Sequence, residues 1–218
     1  MKRILTYLTI ILCSISFANA QSNSEKAKEI LDKVSSKTKS FANIKISFTF
    51  AHETKENNAQ GEKADGTLDL KGEKYKLSLM GNVMYCDGKT LWTHMIEEKE
   101  TTIQSIEGND NAFFNPAKIL TIYENGYKYK FMQERFEKGR AVYLIDLFPK
   151  DVDGSEFSRV RLTIDKDKSR LQMAEYFSKD NNKYIITLNT FVTTQTFADS
   201  YFTFDKAKHP GVEIIDER

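Results

Sequence analysis

The chain has 218 residues, with 32 Lys and Arg against 31 Asp and Glu and a formal net charge of +1. Without Lys2 and Arg3, which fall in a leader described next, the balance becomes 30 to 31. That excludes a basic excess able to hold nucleic acid or an anionic membrane surface by charge alone. The sequence contains two cysteines, Cys13 in the leader and Cys86, so the remainder of the chain forms no internal disulfide.

Residues 1–20 read as a cleaved signal peptide: Lys2 and Arg3, then an apolar run over 4–17 too short to span a bilayer stably, then Ala18-Asn19-Ala20 as a small-x-small cleavage site. A lipid-modified leader would need a small residue before Cys13, where Leu12 stands. Export is therefore expected, with residues 21–218 as one domain free of linkers, repeats or low-complexity tracts.

Residues 24–41 carry Ala27, Ile30, Leu31, Val34, Thr38 and Phe41 at helical spacing, with Ser24 as the expected N-cap. The period then drops to two. Ile44, Ile46, Phe48 and Phe50 alternate with polar residues, Leu68 and Leu70 do so over 66–71, and Tyr75, Leu77 and Leu79 follow after Gly72. Residues 82–106 predict a three-strand meander, 83–86, 90–95 and 101–106, with Asp87-Gly88 as the first tight turn and Trp92 near the middle. Further strands are predicted at 127–136, 141–148, 158–165, 171–178, 184–192 and 201–204. About eleven strands joined by short turns imply a mainly antiparallel sheet that curls to cover its own apolar face.

Residues 108–125 break this series. Asn115-Pro116 reads as an N-cap and first helical residue, Ala117, Ile119, Leu120 and Tyr123 supply an apolar side, and Asn125-Gly126 ends it. Such a helix has no place in the ladder and must lie over the sheet. With Phe113 and Phe114 before it, Pro116, Ile119, Leu120 and Tyr123 are read as part of a movable cover.

No catalytic constellation emerges. His52, His94 and His209 are far apart in sequence and show no metal-ligand spacing; phosphate-binding glycine loops, nucleophile elbows and zinc-protease helices are absent. The expectation is a protein that is not an enzyme and uses no metal or cofactor. Cys86 reads as a buried small hydrophobe, and His94 as a satisfied core or rim histidine. The apolar sheet face is the candidate surface, and alternation alone leaves open whether it is filled by side chains or hollow for a ligand.

Six stretches in order also resemble one family. Cys86-Asp87-Gly88-Lys89-Thr90-Leu91-Trp92 is similar to the Ser-Asp-Gly-Lys-Thr-Leu-Trp fingerprint of the periplasmic outer-membrane lipoprotein carriers, the LolA family. Residues 31–49 resemble that family's first helix and strand, 66–71 its G-x-L-x-x-K strand, and Asn115 to Leu120 its T-P-x-x-L-L helix. Leu147-Phe148-Pro149-Lys150 and the 202–216 region resemble its L-x-P-K strand end and its closing motif.

The resemblance implies an unclosed β-barrel with lid helices over a hydrophobic cavity, here lined by Phe48, Phe50, Leu68, Leu70, Leu77, Leu79 and Trp92. It implies a monomeric periplasmic carrier that takes lipoproteins, by their acyl chains, from an inner-membrane lipoprotein-releasing ABC transporter toward an outer-membrane acceptor. The alternatives are a periplasmic lipid- or lipoprotein-sensing regulator on the same fold, or a carrier of another lipid. The family also places an arginine after the lysine of its G-x-L-x-x-K strand, where it holds the lid shut. Gly72 stands there instead, which leaves Lys71 and Lys74 as the lid-closure candidates.

Overall fold

The computed structural model describes residues 23–54, 61–106, 120, 122–124 and 126–218. The predicted signal peptide and most of the predicted cover, including Phe113, Phe114, Pro116 and Ile119, lie outside them. One α-helix, α1 (residues 23–39), precedes the strands. It begins one residue ahead of the expected cap, so Ser24 is already helical.

The strands are β1 (Ile44–Glu53), β2 (Lys63–Lys71), β3 (Lys74–Leu79), β4 (Asn82–Cys86), β5 (Thr90–Met95) and β6 (Glu100–Ser105), followed by β7 (Tyr127–Glu137), β8 (Arg140–Pro149), β9 (Phe157–Asp165), β10 (Arg170–Ser178), β11 (Lys183–Val192) and β12 (Glu213–Asp216). They form one twelve-stranded sheet in the order β12-β6-β5-β4-β3-β2-β1-β11-β10-β9-β8-β7. Two edges, β12 and β7, stay apart, so the barrel is unclosed, as expected. Every neighbouring pair is antiparallel except β12 with β6, which runs parallel.

Local chemistry sets the turns. At Asp87-Gly88 the Asp87 carboxylate accepts from the Lys89 and Thr90 amides at 2.9 and 2.8 Å, while Gly88 takes φ 94°, which a side chain would resist. Curvature comes partly from bulges. The β1–β11 register slips between Ser47 and Phe48, and similar slips occur in β9–β10 and β7–β8; each extra residue bends its strand and raises the local twist.

Residues opposed across a sheet share a face, so register sorts the side chains. Ile46, Leu68, Leu77 and Met84 form one continuous row, and Ile44, Leu70, Tyr75, Cys86 and Leu91 form the next. These rows make the concave face. Ala27, Ile30, Leu31 and Val34, the apolar stripe of α1, join the buried cluster with Ile44, Leu70, Tyr75 and Ile164. The helix thus fills one end of the concavity. Its exposed side carries Lys28–Asp32 and Lys33–Glu29 pairs one turn apart. Cys86 lies fully buried in this cluster, and burial raises its thiol pKa, in keeping with an inert packing residue.

One expectation fails in the last twenty residues. The stretch 201–204, read as a strand from its alternating aromatics, is not one: Tyr201 and Phe202 end a 3-10 turn over Asp199–Phe202, and Thr203 and Phe204 lie outside any strand. The strand comes later, as β12, beside β6. Tertiary packing overrides the local pattern here. Phe202 is fully buried, edge-on to Phe197 and Tyr201, and the segment lies on the convex face of the sheet rather than entering the ladder.

There Tyr201 donates its hydroxyl to buried Asp69 at 2.7 Å, and Lys71 donates to the Phe197 carbonyl at 2.8 Å. Lys71 and Lys74 both reach the Asp199 carboxylate, at 2.8 and 2.9 Å, and hold its pKa down to about 2. Further on, His209 stacks on Phe204 at 4.8 Å and meets the His94 ring at 4.5 Å, while His94 Nδ1 lies 3.0 Å from the Thr101 hydroxyl. Two histidines that are remote in sequence therefore come together. Among the described residues, no group of three His, Cys, Asp or Glu side chains could hold a metal ion.

Two outcomes follow for this clamp. Replacing Tyr201 by Phe leaves the buried Asp69 carboxylate, whose Oδ1 already lacks a hydrogen-bond partner, without its donor, and should cost about 1.5–3 kcal/mol in urea unfolding. Replacing Asp199 by Asn removes exposed ion pairs only and should leave the urea midpoint close to that of the native protein. Burial, then the His94 ring, holds the His209 pKa below the usual histidine range. The unfolded chain therefore binds that proton more readily. The stabilising contribution is present above the unfolded pKa, about 6.5, and is lost as the pH falls below it. Thermal midpoints measured from pH 7.5 down to 5 should fall in the native protein and fall less in His209→Phe.

Candidate functional site

The concave face that α1 leaves uncovered is hollow. Side chains of β1–β4 on one side and β9–β11 on the other enclose a cavity of about 700 Å³. Its wall is built by register: Phe48 faces Leu188 and Phe50 faces Ile186 across β1–β11, and Tyr176 faces Tyr184 across β10–β11. The strands bring alternate apolar residues to this side, and the curvature keeps opposite walls from meeting.

The lining is strongly apolar, with Glu156, Ser178, Lys179 and Asp180 the polar members, gathered at the β10–β11 turn and the approach to β9. Away from that end, the described wall carries no charged side chain. Burial accordingly drives the Tyr176 phenol pKa far above its usual range. The rim is aromatic: Tyr184 stacks with His52 at 4.7 Å and 7°, lies 6.2 Å from Phe50, and receives Phe157 edge-on at 6.2 Å.

Phe48, Phe50, Leu68, Leu77 and Leu79, named from alternation, are all on the cavity wall. Two companions are not. Leu70 is on the concave face but lies where α1 covers it, packed in the buried cluster at 5% exposure. Trp92 faces the other way. It opposes Tyr85, which opposes Lys76, and Tyr85 packs edge-on against Phe204 of the convex clamp. The Asp87-Gly88 turn fixes that register, placing Leu91 rather than Trp92 on the inner side.

The cover fares differently. Leu120 lines the cavity, and Ile122–Glu124 is a 3-10 turn rather than the end of an α-helix. Tyr123, expected in a movable element, is buried at 5%, and its hydroxyl donates to the Leu31 carbonyl of α1. Beside it Glu124 accepts from Lys39 at 2.6 and 2.8 Å and from the Ser35 hydroxyl. The base of this segment is thus tied to α1. The described partners of Lys71 and Lys74, the lid-closure candidates, are the Phe197 carbonyl and the Asp199 carboxylate of the C-terminal clamp on the convex face, to which alternation along β2 and β3 directs them.

Half of the wall had no forecast. Phe157, Tyr176, Tyr184, Ile186 and Leu188 sit on strands whose positions were predicted, yet nothing in their pattern said that β11 pairs with β1 and closes the concavity from the far side. Gly66 is a further contributor. A Cβ there would come within 2.4 Å of the tip of the Phe48 ring, so glycine leaves room for the end of that ring against β2. Gly66→Ala should push Phe48 into the cavity, cost about 1–3 kcal/mol in stability and weaken binding of a fluorescent fatty-acid probe; unchanged stability and binding would show that the ring has free space elsewhere.

Comparisons with known proteins bear on this geometry. A search of curated protein sequences gives no match. Among solved structures, an uncharacterized conserved protein from Thermus thermophilus is similar at a TM-score of 0.60 and 9% identity, over 88% of this chain and 99% of that one. A putative outer membrane lipoprotein-sorting protein domain from Vibrio parahaemolyticus aligns at 0.49 and 10% identity, over 83% and 97%. The Mycobacterium tuberculosis lipoprotein LppX aligns at 0.48 and 12%, over 78% and 98%. At these identities the first match speaks for the fold, and the other two superpose too loosely to add to it. The family model described as outer membrane lipoprotein carrier protein LolA matches residues 39–205, from the end of α1 into the convex clamp and across every wall of the cavity. With an open twelve-stranded sheet around a hollow apolar core, the chain belongs to the LolA family.

Proposed function

We propose that this protein is a periplasmic carrier that takes up the acyl chains of lipoproteins in its cavity and moves them from the inner to the outer membrane. The observation that carries the reading is the cavity itself: about 700 Å³, walled by Phe, Leu, Ile and Tyr, with polar groups confined to one end. A site of that size lies within the roughly 300–1,000 Å³ of small-molecule sites, and most such sites place several polar groups to orient a ligand. Here the wall offers apolar surface and little else, which suits a hydrocarbon chain.

The driving force is large. At about 0.8 kcal/mol per methylene, one sixteen-carbon chain gains on the order of 12 kcal/mol when it leaves water. A chain that binds in this way needs no chemical step and no cofactor. The handover partners in this reading are an inner-membrane lipoprotein-releasing ABC transporter and an outer-membrane acceptor, and the leader at 1–20 brings the protein to the compartment between them.

Leu77 is half-buried on the wall, so Leu77→Gln should fold while weakening displacement of a fluorescent acyl probe by a triacylated lipopeptide at least tenfold. In cells, depletion of the protein should shift lipoproteins toward the inner-membrane fraction. An unchanged distribution, with lipopeptide binding intact in vitro, would overturn transport and favour a lipid-sensing regulator on the same fold.

A further inference from the structure

Resting on the acyl-carrier reading, and narrowing it, we infer that His52 holds the oxygen-bearing end of a bound acyl chain through Nε2.

The length of one row of side chains fits such a chain. Ile46, Phe48, Phe50 and His52 point to the concave face in succession along β1. Ile46 to His52 is six residue steps, about 20 Å at 3.3 Å per residue, comparable with an extended sixteen-carbon chain. A chain lying along this row would have one end near Ile46 and the other at His52.

His52 has the chemistry for that end. Its ring lies flat on Tyr184, a wall residue, and its Nε2 is buried with no hydrogen-bond partner. A buried ring nitrogen without a partner is costly and uncommon. The neighbouring cations are already engaged: Lys183 lies 2.8 Å from Glu53 and 3.5 Å from Glu175, and Lys179 donates to the carbonyls of Val152 and Asp153 at 2.5 and 3.3 Å. His52 therefore has the spare hydrogen-bonding capacity at the rim. A carboxylate or an ester or amide carbonyl on the first carbon of the chain supplies what it lacks.

The test uses the full protein with hexadecanoate and, delivered from cyclodextrin, hexadecane. Calorimetry should show saturable binding of hexadecanoate to the native protein. His52→Phe keeps the stacked ring and removes both nitrogens. It should weaken hexadecanoate about tenfold and leave hexadecane unchanged, whereas His52→Gln, which retains a hydrogen-bonding head, should stay within about threefold of the native affinity. Equal loss for both ligands, no loss for hexadecanoate, or a Gln variant as weak as the Phe variant would overturn the role of His52. If neither ligand binds the native protein, the acyl-carrier reading itself fails.

Discussion

The structure depends on one constraint: a sheet of twelve strands, hydrophobic on its concave face, that does not close. A closed barrel would leave no unpaired edge. An open one must cover the concavity with something else. α1 does so at one end, its stripe of Ala27, Ile30, Leu31 and Val34 joining Ile44, Leu70 and Tyr75 in the buried cluster. Among the described residues no comparable set of side chains fills the other end, and the hollow there is the site.

Division of the concave face explains why the molecule tolerates a cavity. Large voids are destabilising because the atoms around them lose contact partners. At the helix-packed end Leu31 of α1 and Ile164, beside Ile30, are fully buried. The hollow end is lined by residues still partly accessible, such as Phe50, Leu77, Leu79, Ile186 and Leu188. Rigidity is supplied where it does not obstruct binding.

A second, smaller packing unit stiffens the outside. The clamp of Phe197, Tyr201, Phe202 and Phe204 lies on the convex face of β2–β5 and carries the chain to β12, which extends the sheet beyond β6. Lys71 and Lys74, the lid-closure candidates left by Gly72, have their described partners in this clamp. Among the described residues the charged members of the lining, Glu156, Lys179 and Asp180, are gathered at one end, and the rest of the wall is apolar.

Much of this was local and therefore legible in the sequence. The alternation at Ile44 to Phe50, the helical stripe of residues 27–34 and the Asp87-Gly88 turn each depend on neighbours a few positions away, and the strands they predict are present. So are Phe48, Phe50, Leu68, Leu77 and Leu79 on the concave wall, because a period of two assigns a face once a strand is anchored. What required the tertiary structure was long-range. The pairing of β1 with β11 brings together residues some 140 positions apart and supplies the far wall; the end of the concavity that α1 occupies decides that Leu70 is packed while Leu77 is open. Trp92 was misassigned because the β4–β5 turn sets the phase of β5, and residues 201–204 were misread because an alternating Phe-Thr-Phe fits equally well on a ladder or against the back of a sheet. Periodicity fixes which side chains share a face, but which face is filled, clamped or left hollow is settled by contacts between segments that the local pattern does not connect.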